Sequence, residues 1–134
     1  MTPDLPRHQG QRQQLLALLR GKGIKNERVL EAMGRIPRHA FLESSFEEFA
    51  YQDIAFPIAA GQTISQPYTV AFQSDALGLP EGAKILEIGT GSGYQAAVLE
   101  EMGYRVYTIE RQKALFDFSK RLLDELGYRR IQQK

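Results

Sequence analysis

Apolar residues follow two kinds of spacing along this chain. From Gln9 to Arg20, Leu15, Leu16, Leu18 and Leu19 recur at helical intervals, and Gly21 and Gly23 stop the run. This predicts a first helix over 9–20, with residues 1–8 frayed. Asn26 is a good N-cap for a second helix over 27–35, which places Val29, Leu30 and Met33 on one face before Pro37 ends it. Phe41, Phe46, Phe49, Tyr51 and Phe56 then fall at irregular intervals, with Pro57 and Gly61 as breakers. They read as local core rather than as a stacking surface. Ser65-Gln66-Pro67 opens a third helix over 66–77, with Ser65 able to serve as its cap and proline tolerated in the first turn.

The pattern changes after the turn Gly78–Gly82. Lys84–Ile88 is a short apolar run of strand type, followed by glycines at 89, 91 and 93. Tyr94–Met102 reads as a helix stopped by Gly103, and Arg105–Ile109 as a second strand ending at Glu110. Lys113–Leu126 is a further helix, with Leu115, Phe116, Leu122, Leu123 and Leu126 inward and Gly127 as its stop. Arg129-Arg130-Ile131 looks like the opening of a third strand. Strand, glycine turn, helix and strand in this order is a βαβ unit. The expected fold class is α/β, a Rossmann-like doubly wound sheet in incomplete form, with N-terminal helices and the first two to three parallel strands. Residues 1–80 form a helical and cleft segment and 81–134 the first part of a cofactor-binding domain, as one structural unit.

Composition narrows the partners. The 134 residues are 43% hydrophobic and 25% charged, with a formal net charge of +1. The charges are interspersed, so no face for nucleic acid is expected, and no apolar run approaches a bilayer span. There is no cysteine, which excludes disulfides and thiolate metal sites. With no signal-peptide layout at the N-terminus, a cytoplasmic location is expected. His8 and His39 show no ligand spacing and are expected on the surface or in loops, so no metal is expected. Glu47-Glu48 reads as a solvated helix face.

The chemistry concentrates at Lys84-Ile-Leu-Glu-Ile-Gly-Thr-Gly-Ser-Gly-Tyr94. Glycines let backbone turn sharply and lie against a ligand. Ser92 and Gln95 have the spacing of a capping box for the next helix. A classical dinucleotide fingerprint needs glycine at 94, where Tyr94 stands, and a P-loop lysine is absent. Glu87 puts negative charge where a pyrophosphate would sit. A ligand with a positive end fits better, and the amino-acid portion of S-adenosyl-L-methionine has one. Glu110, about 20 residues past the first glycine, suits the ribose hydroxyls.

Gly61-Gln-Thr-Ile-Ser-Gln-Pro-Tyr68 together with Ile85–Leu99 closely resembles the protein-L-isoaspartate O-methyltransferases. Ile36-Pro-Arg38 with Phe41, Ala50–Asp53 and Val106–Arg111 share the resemblance, which runs from about residue 10 to the end. It implies methylation of the free carboxylate of L-isoaspartyl residues in damaged proteins and peptides, with S-adenosyl-L-methionine as donor and S-adenosyl-L-homocysteine as product. Carried over by motif, Ser65 is the active-site residue. Thr63, Ile64, Glu87, Gly89, Thr90, Gly91, Gly93, Glu110 and Arg111 face the cofactor, and Ile54, Pro57, Ser65 and Gln66 face the substrate.

The family pattern continues beyond the third strand, and this sequence ends there. The expectation is a short version with one apolar strand edge unpaired, a poor catalyst by itself, and a homo-oligomer through that edge. Two alternatives stand beside the repair methyltransferase. One is a non-catalytic cofactor-binding remnant that self-associates; the other is a methyltransferase for another acceptor, against which the Thr63–Pro67 segment speaks.

Overall fold

A computed structural model describes residues 3–134. In chain order it forms α1 (Pro6–Gly21), α2 (Glu27–Arg35), short 3-10 turns at Arg38–Phe41 and Ser44–Phe49, β1 (Phe56–Pro57), β2 (Thr63–Ile64) and α3 (Pro67–Ala76). β3 (Lys84–Ile88), α4 (Tyr94–Glu101), β4 (Arg105–Ile109), α5 (Lys113–Glu125) and β5 (Gln132–Gln133) follow. β1 and β2 form an antiparallel hairpin, while β3, β4 and β5 form a parallel sheet in that order. The third strand thus pairs one step later than the arginines at 129 and 130.

One apolar core joins the N-terminal helices to the sheet: Leu15, Leu16 and Leu19 of α1, Val29, Leu30 and Met33 of α2, Ala97 and Val98 of α4, and Val106 of β4. Of the scattered aromatics, Phe41, Tyr51 and Phe56 are buried in it, whereas Phe49 is exposed. On α5, Phe118, two residues beyond the expected Phe116, packs against this core, and Phe116 is half-buried. Among the described residues no helix is long and apolar enough to cross a membrane.

Three local expectations need correction. The first helix begins at Pro6, not Gln9. His8 and His39 are not surface residues: each is 2% exposed, and their rings stack with centroids 3.7 Å apart. The hydrogen bonds define both tautomers. His8 Nδ1 accepts from the Leu5 N–H (3.1 Å), so its Nε2–H faces Glu47 (2.9 Å). His39 Nε2 donates to the Pro3 carbonyl (3.0 Å), which leaves Nδ1 to accept from the Tyr51 hydroxyl (2.8 Å), itself accepting from Arg12 (2.8 Å). Residues 3–8 are therefore latched to the 3-10 region; Met1 and Thr2 lie outside the described residues. Glu47 serves this latch rather than a solvated face. Asp4, His8 and His39 bring ligand atoms together, but each imidazole nitrogen is already engaged in a hydrogen bond.

The third correction concerns Ser65. The cap of α3 comes from Asp53, whose Oδ1 accepts from the Tyr68 N–H at 2.7 Å, while Asp53 Oδ2 pairs with Lys22. Ser65 caps nothing, and its carbonyl accepts from Arg38 at 3.0 Å. A cap fifteen residues away in sequence outcompetes the local one because Asp53 is held against the helix start by its own ion pair.

Both helices that follow sheet strands lie on the same side. Right-handed crossovers that step in one direction, β3 to β4 to β5, place successive helices on one face. The opposite face is bare: in register, Leu86 pairs Tyr107 and Ile88 pairs Ile109. Leu86 is 60% and Ile88 76% exposed. Among the described residues the outer edge of β3 has no neighbouring strand, as expected for a sheet that lacks the strand following this segment in the family pattern.

Candidate functional site

The loop after β3 is built by backbone, not by side chains. Gly89, Gly91 and Gly93 all have positive φ, at 92°, 57° and 91°. The Gly89 and Thr90 N–H groups both turn onto the Ile109 carbonyl (2.8 and 3.2 Å), which ties the tip of β3 to the tip of β4. A Cβ on Gly89 would meet nothing within 4 Å, and one on Gly91 would only touch Ile58 at 4.0 Å. The space over these two residues is open. Gly93 differs, because a Cβ there would press on Leu123 of α5 at 3.2 Å. Its missing side chain serves helix packing, and it lines neither hollow beside the loop.

Two hollows flank this loop. The first, about 370 Å³, is lined by Thr63, Ile64, Ser65, Glu87, Gly89, Thr90 and Gly91 together with Gln73 and Ser74 of α3 and its C-cap Leu77. The second, about 360 Å³, holds Glu110 and Arg111. Thr63, Ile88, Gly89 and Gly91 border both, so the two acids lie on either side of one stretch of bare backbone. Ser65 is exposed within the first hollow. Ile54, Pro57 and Gln66 line neither: Ile54 and Pro57 are exposed, and Gln66 is the N-cap position of α3. The half-expected capping box forms only in part. Ser92 Oγ accepts from the Tyr94 N–H (3.1 Å), but Gln95 reaches Ser74 (2.8 Å) instead of turning back.

Each carboxylate is held differently. Glu87 accepts from the Thr108 hydroxyl at 2.7 Å, and Thr108 in turn is 2.6 Å from the Thr90 hydroxyl. Since Thr108 donates to Glu87, Thr90 must donate to Thr108. Thr90 and Thr108 are both buried, so this relay fixes the acid at the floor of the first hollow. Burial raises the Glu87 carboxyl to about 7, against the bond from Thr108, and the nearby Glu110 adds to the rise. Glu110 instead accepts two backbone N–H groups, from Gly91 (2.9 Å) and Gln112 (2.8 Å), one on each oxygen. It braces the loop and keeps one lone-pair direction per oxygen for a further donor.

Alternation along β4 was the available signal for Thr108, which faces inward with Val106, though nothing local connects it to Glu87. Arg38, Asp53 and Gln95 have no comparable signal, because their partners lie on other elements.

The Glu87 environment makes a testable statement about pH. A carboxyl raised from an unfolded value of 4.5 to about 7 contributes stability that is complete below 4.5 and lost as pH climbs through 7. Glu87→Gln should therefore be more stable than the parent at pH 8, by about 1–3 kcal/mol, and lose that advantage toward pH 5. Thermal unfolding of the two proteins across pH 5–8 checks this. A pH-independent difference would refute the role of burial.

A parallel α/β sheet whose bare-backbone loop sits between two strand-end acids defines a protein of the Rossmann-like class, a fold in which nucleoside cofactors sit at the carboxyl ends of the strands. The family model described as Protein-L-isoaspartate(D-aspartate) O-methyltransferase (PCMT) matches residues 10–134. This chain belongs to that family. It is 62% identical over 126 residues to the protein-L-isoaspartate O-methyltransferase of Christiangramia forsetii, covering 94% of this chain and 59% of that protein. It is 45% identical over 128 residues to the enzyme of the same name from Dictyoglomus thermophilum, covering 96% and 58%. A solved protein-L-isoaspartate O-methyltransferase superposes with a TM-score of 0.82 at 29% identity, over 92% of this chain and 41% of the other. A Plasmodium falciparum structure described as a beta-aspartate methyltransferase (PCMT) in complex with S-adenosyl-L-homocysteine shares the fold, with a TM-score of 0.76 at 24% identity over 95% and 62% of the two chains. The chain thus spans a little under three fifths of the length of these curated relatives.

Proposed function

We propose that this chain carries the cofactor cradle and acceptor cleft of an S-adenosyl-L-methionine-dependent methyltransferase acting on the free carboxylate of L-isoaspartyl residues. The observation that carries the reading is the meeting of two separate segments. The β1–β2 hairpin delivers Thr63, Ile64 and Ser65 to the same hollow that holds Glu87 and the open backbone of Gly89–Gly91.

The residues suit the cofactor. Glu87 is a carboxylate in a low-dielectric position with no cation partner among the described residues, so an ammonium group there relieves the penalty that raises its pKa. Glu110 retains acceptor capacity for a pair of hydroxyls, and the room above Gly89 and Gly91 is what a side chain would otherwise fill. When bound, the cofactor supplies a methyl group on a positively charged sulfur. An isoaspartyl carboxylate has a pKa of roughly 4 and is ionised at neutral pH, so it needs no base. Anion and cation give neutral products, and the protein's task is alignment and exclusion of water. Ser65, exposed in the hollow, is a hydrogen-bonding positioner for the acceptor. It has no histidine partner to make it a nucleophile: among the described residues the nitrogens of His8 and His39 bond Leu5, Glu47, Tyr51 and Pro3.

A second reading rests on the unpaired edge of β3 and the exposed Leu86 and Ile88 beside it. On that reading the chain binds cofactor without turnover and associates with a second copy through this edge. Incubation of the 134-residue chain with methyl-labelled cofactor and an isoaspartyl peptide separates the two. A base-labile labelled methyl ester is the expected result. Cofactor binding by calorimetry without ester, together with a dimer in sedimentation velocity, supports the second reading, and absence of cofactor binding overturns both. The cytoplasmic location belongs to the same proposal, as the compartment in which a cysteine-free repair enzyme would meet its substrates.

A further inference from the structure

Arg38 is fully buried at 0% exposure and has no carboxylate partner among the described residues. Taking a cation out of water is unfavourable, and burial accordingly lowers the pKa of this guanidinium. Its hydrogen bonds show what the charge does there. Nε donates to the Ala50 carbonyl at 2.9 Å, and Nη2 donates to the carbonyls of Ser65 at 3.0 Å and Ile54 at 3.4 Å. The guanidinium carbon lies 4.8 Å from the ring centroid of Tyr94, a cation–π arrangement. Tyr94 is the first residue of α4, directly after the glycine loop, and Phe41 braces its ring edge-on at 5.4 Å.

One planar side chain therefore joins both halves of the site. Its donors hold the backbone at 50, 54 and 65, and its face rests on the residue that ends the cofactor loop. The Ser65–Pro67 turn has two fixed points, Arg38 at the Ser65 carbonyl and Asp53 at the Tyr68 N–H. Only the first relates Ser65 to the glycine loop. We infer that Arg38 is a positioning residue that sets Ser65, and with it the acceptor carboxylate, against the bound methyl donor without itself touching either ligand. Rigid planarity matters here: a lysine carries its three donors on a single nitrogen and has no stacking plane, so it cannot span the three carbonyls and the Tyr94 ring together.

The inference rests on the proposed methyl transfer for its kinetic consequence but not for its structural one, and the test reads both. Arg38→Met and Arg38→Lys are compared with the parent chain well below their melting temperatures. Arg38→Met is expected to lower kcat for an isoaspartyl peptide roughly 10- to 100-fold, while the Kd for S-adenosyl-L-homocysteine changes less than about threefold, since Glu87 and Glu110 are not touched. Hydrogen exchange of the Ser65, Gln66 and Tyr68 amides should accelerate about tenfold or more, with the amides of β4 unchanged. Arg38→Lys should recover part of both. If Arg38→Met does not fold, the lysine variant alone carries the comparison. Loss of kcat and of cofactor affinity in parallel, with general acceleration of exchange, would show a merely structural role and overturn the inference. Unchanged exchange at 65–68 would also overturn it. Should the parent chain transfer no methyl group, the proposed function falls, whereas exchange at 65–68 still decides the role of Arg38.

Discussion

Replacing Glu110 with alanine is expected to weaken binding of S-adenosyl-L-homocysteine by about 100- to 1000-fold. The carboxylate has two tasks, and alanine ends both. It accepts the Gly91 and Gln112 N–H groups, which holds the loop bent around its tip. On the proposed reading it also accepts the two ribose hydroxyls. Hydrogen bonds to a charged acceptor contribute roughly 1.5–3 kcal/mol each, so a lost pair corresponds to about 3–6 kcal/mol, and a loss of about 100- to 1000-fold is the lower end of this, about 3–4 kcal/mol. Glu110→Gln is the informative companion. Its amide oxygen can keep one backbone N–H, but the NH₂ then faces the other as donor against donor, so it too should lose at least about tenfold. Calorimetry on both variants measures this, with melting temperatures to show that the loop change is local. An unchanged Kd in Glu110→Ala would mean that the second hollow does not receive the nucleoside.

The largest expected effect on folding comes from Gly93. An alanine there meets two penalties at once. A φ of 91° is a region L side chains rarely adopt, and the new Cβ would lie 3.2 Å and 3.3 Å from Leu123 atoms and 3.4 Å from the Ser119 Cβ. The backbone term is about 1–2 kcal/mol, and overpacking against α5 adds about 1–3 kcal/mol. For a domain of this size that lowers the melting temperature by roughly 10 °C or more. Gly89→Ala separates the two contributions, because its φ is 92° but nothing lies within 4 Å of the added atom. It should lose only the backbone term in stability, yet it occupies the open space of the cradle and should weaken cofactor binding. Equal destabilisation of the two variants would remove the packing argument for Gly93.

These two predictions concern residues that the one-dimensional pattern already singled out, and the reason is locality. Strand, glycine turn, helix, strand and terminal acid are each specified within a few residues. Short-range sterics and hydrophobic periodicity suffice to place β3 at Lys84–Ile88 and β4 at Arg105–Ile109, as found. The α/β class and the family motif were legible for the same reason. The division of labour among the glycines was not. All three have positive φ, but only the fold shows that Gly89 and Gly91 look onto open space while Gly93 faces another helix.

Other features depended on partners far away along the chain. His8 and His39, with no ligand-like spacing, read as surface residues until the fold stacked them. Ser65 had the position of a helix cap, yet Asp53 took that task and left Ser65 free in the hollow. Arg38 sits in a recognisable motif, but its three carbonyl partners and the Tyr94 ring are 12 to 56 residues on. By itself the sequence determined the main helices and the strands β3 and β4, though not the β1–β2 hairpin, and that two acids end neighbouring strands. Tertiary structure alone decided what each polar side chain faces, because a buried donor or charge must find its partner wherever the packed chain brings one within reach.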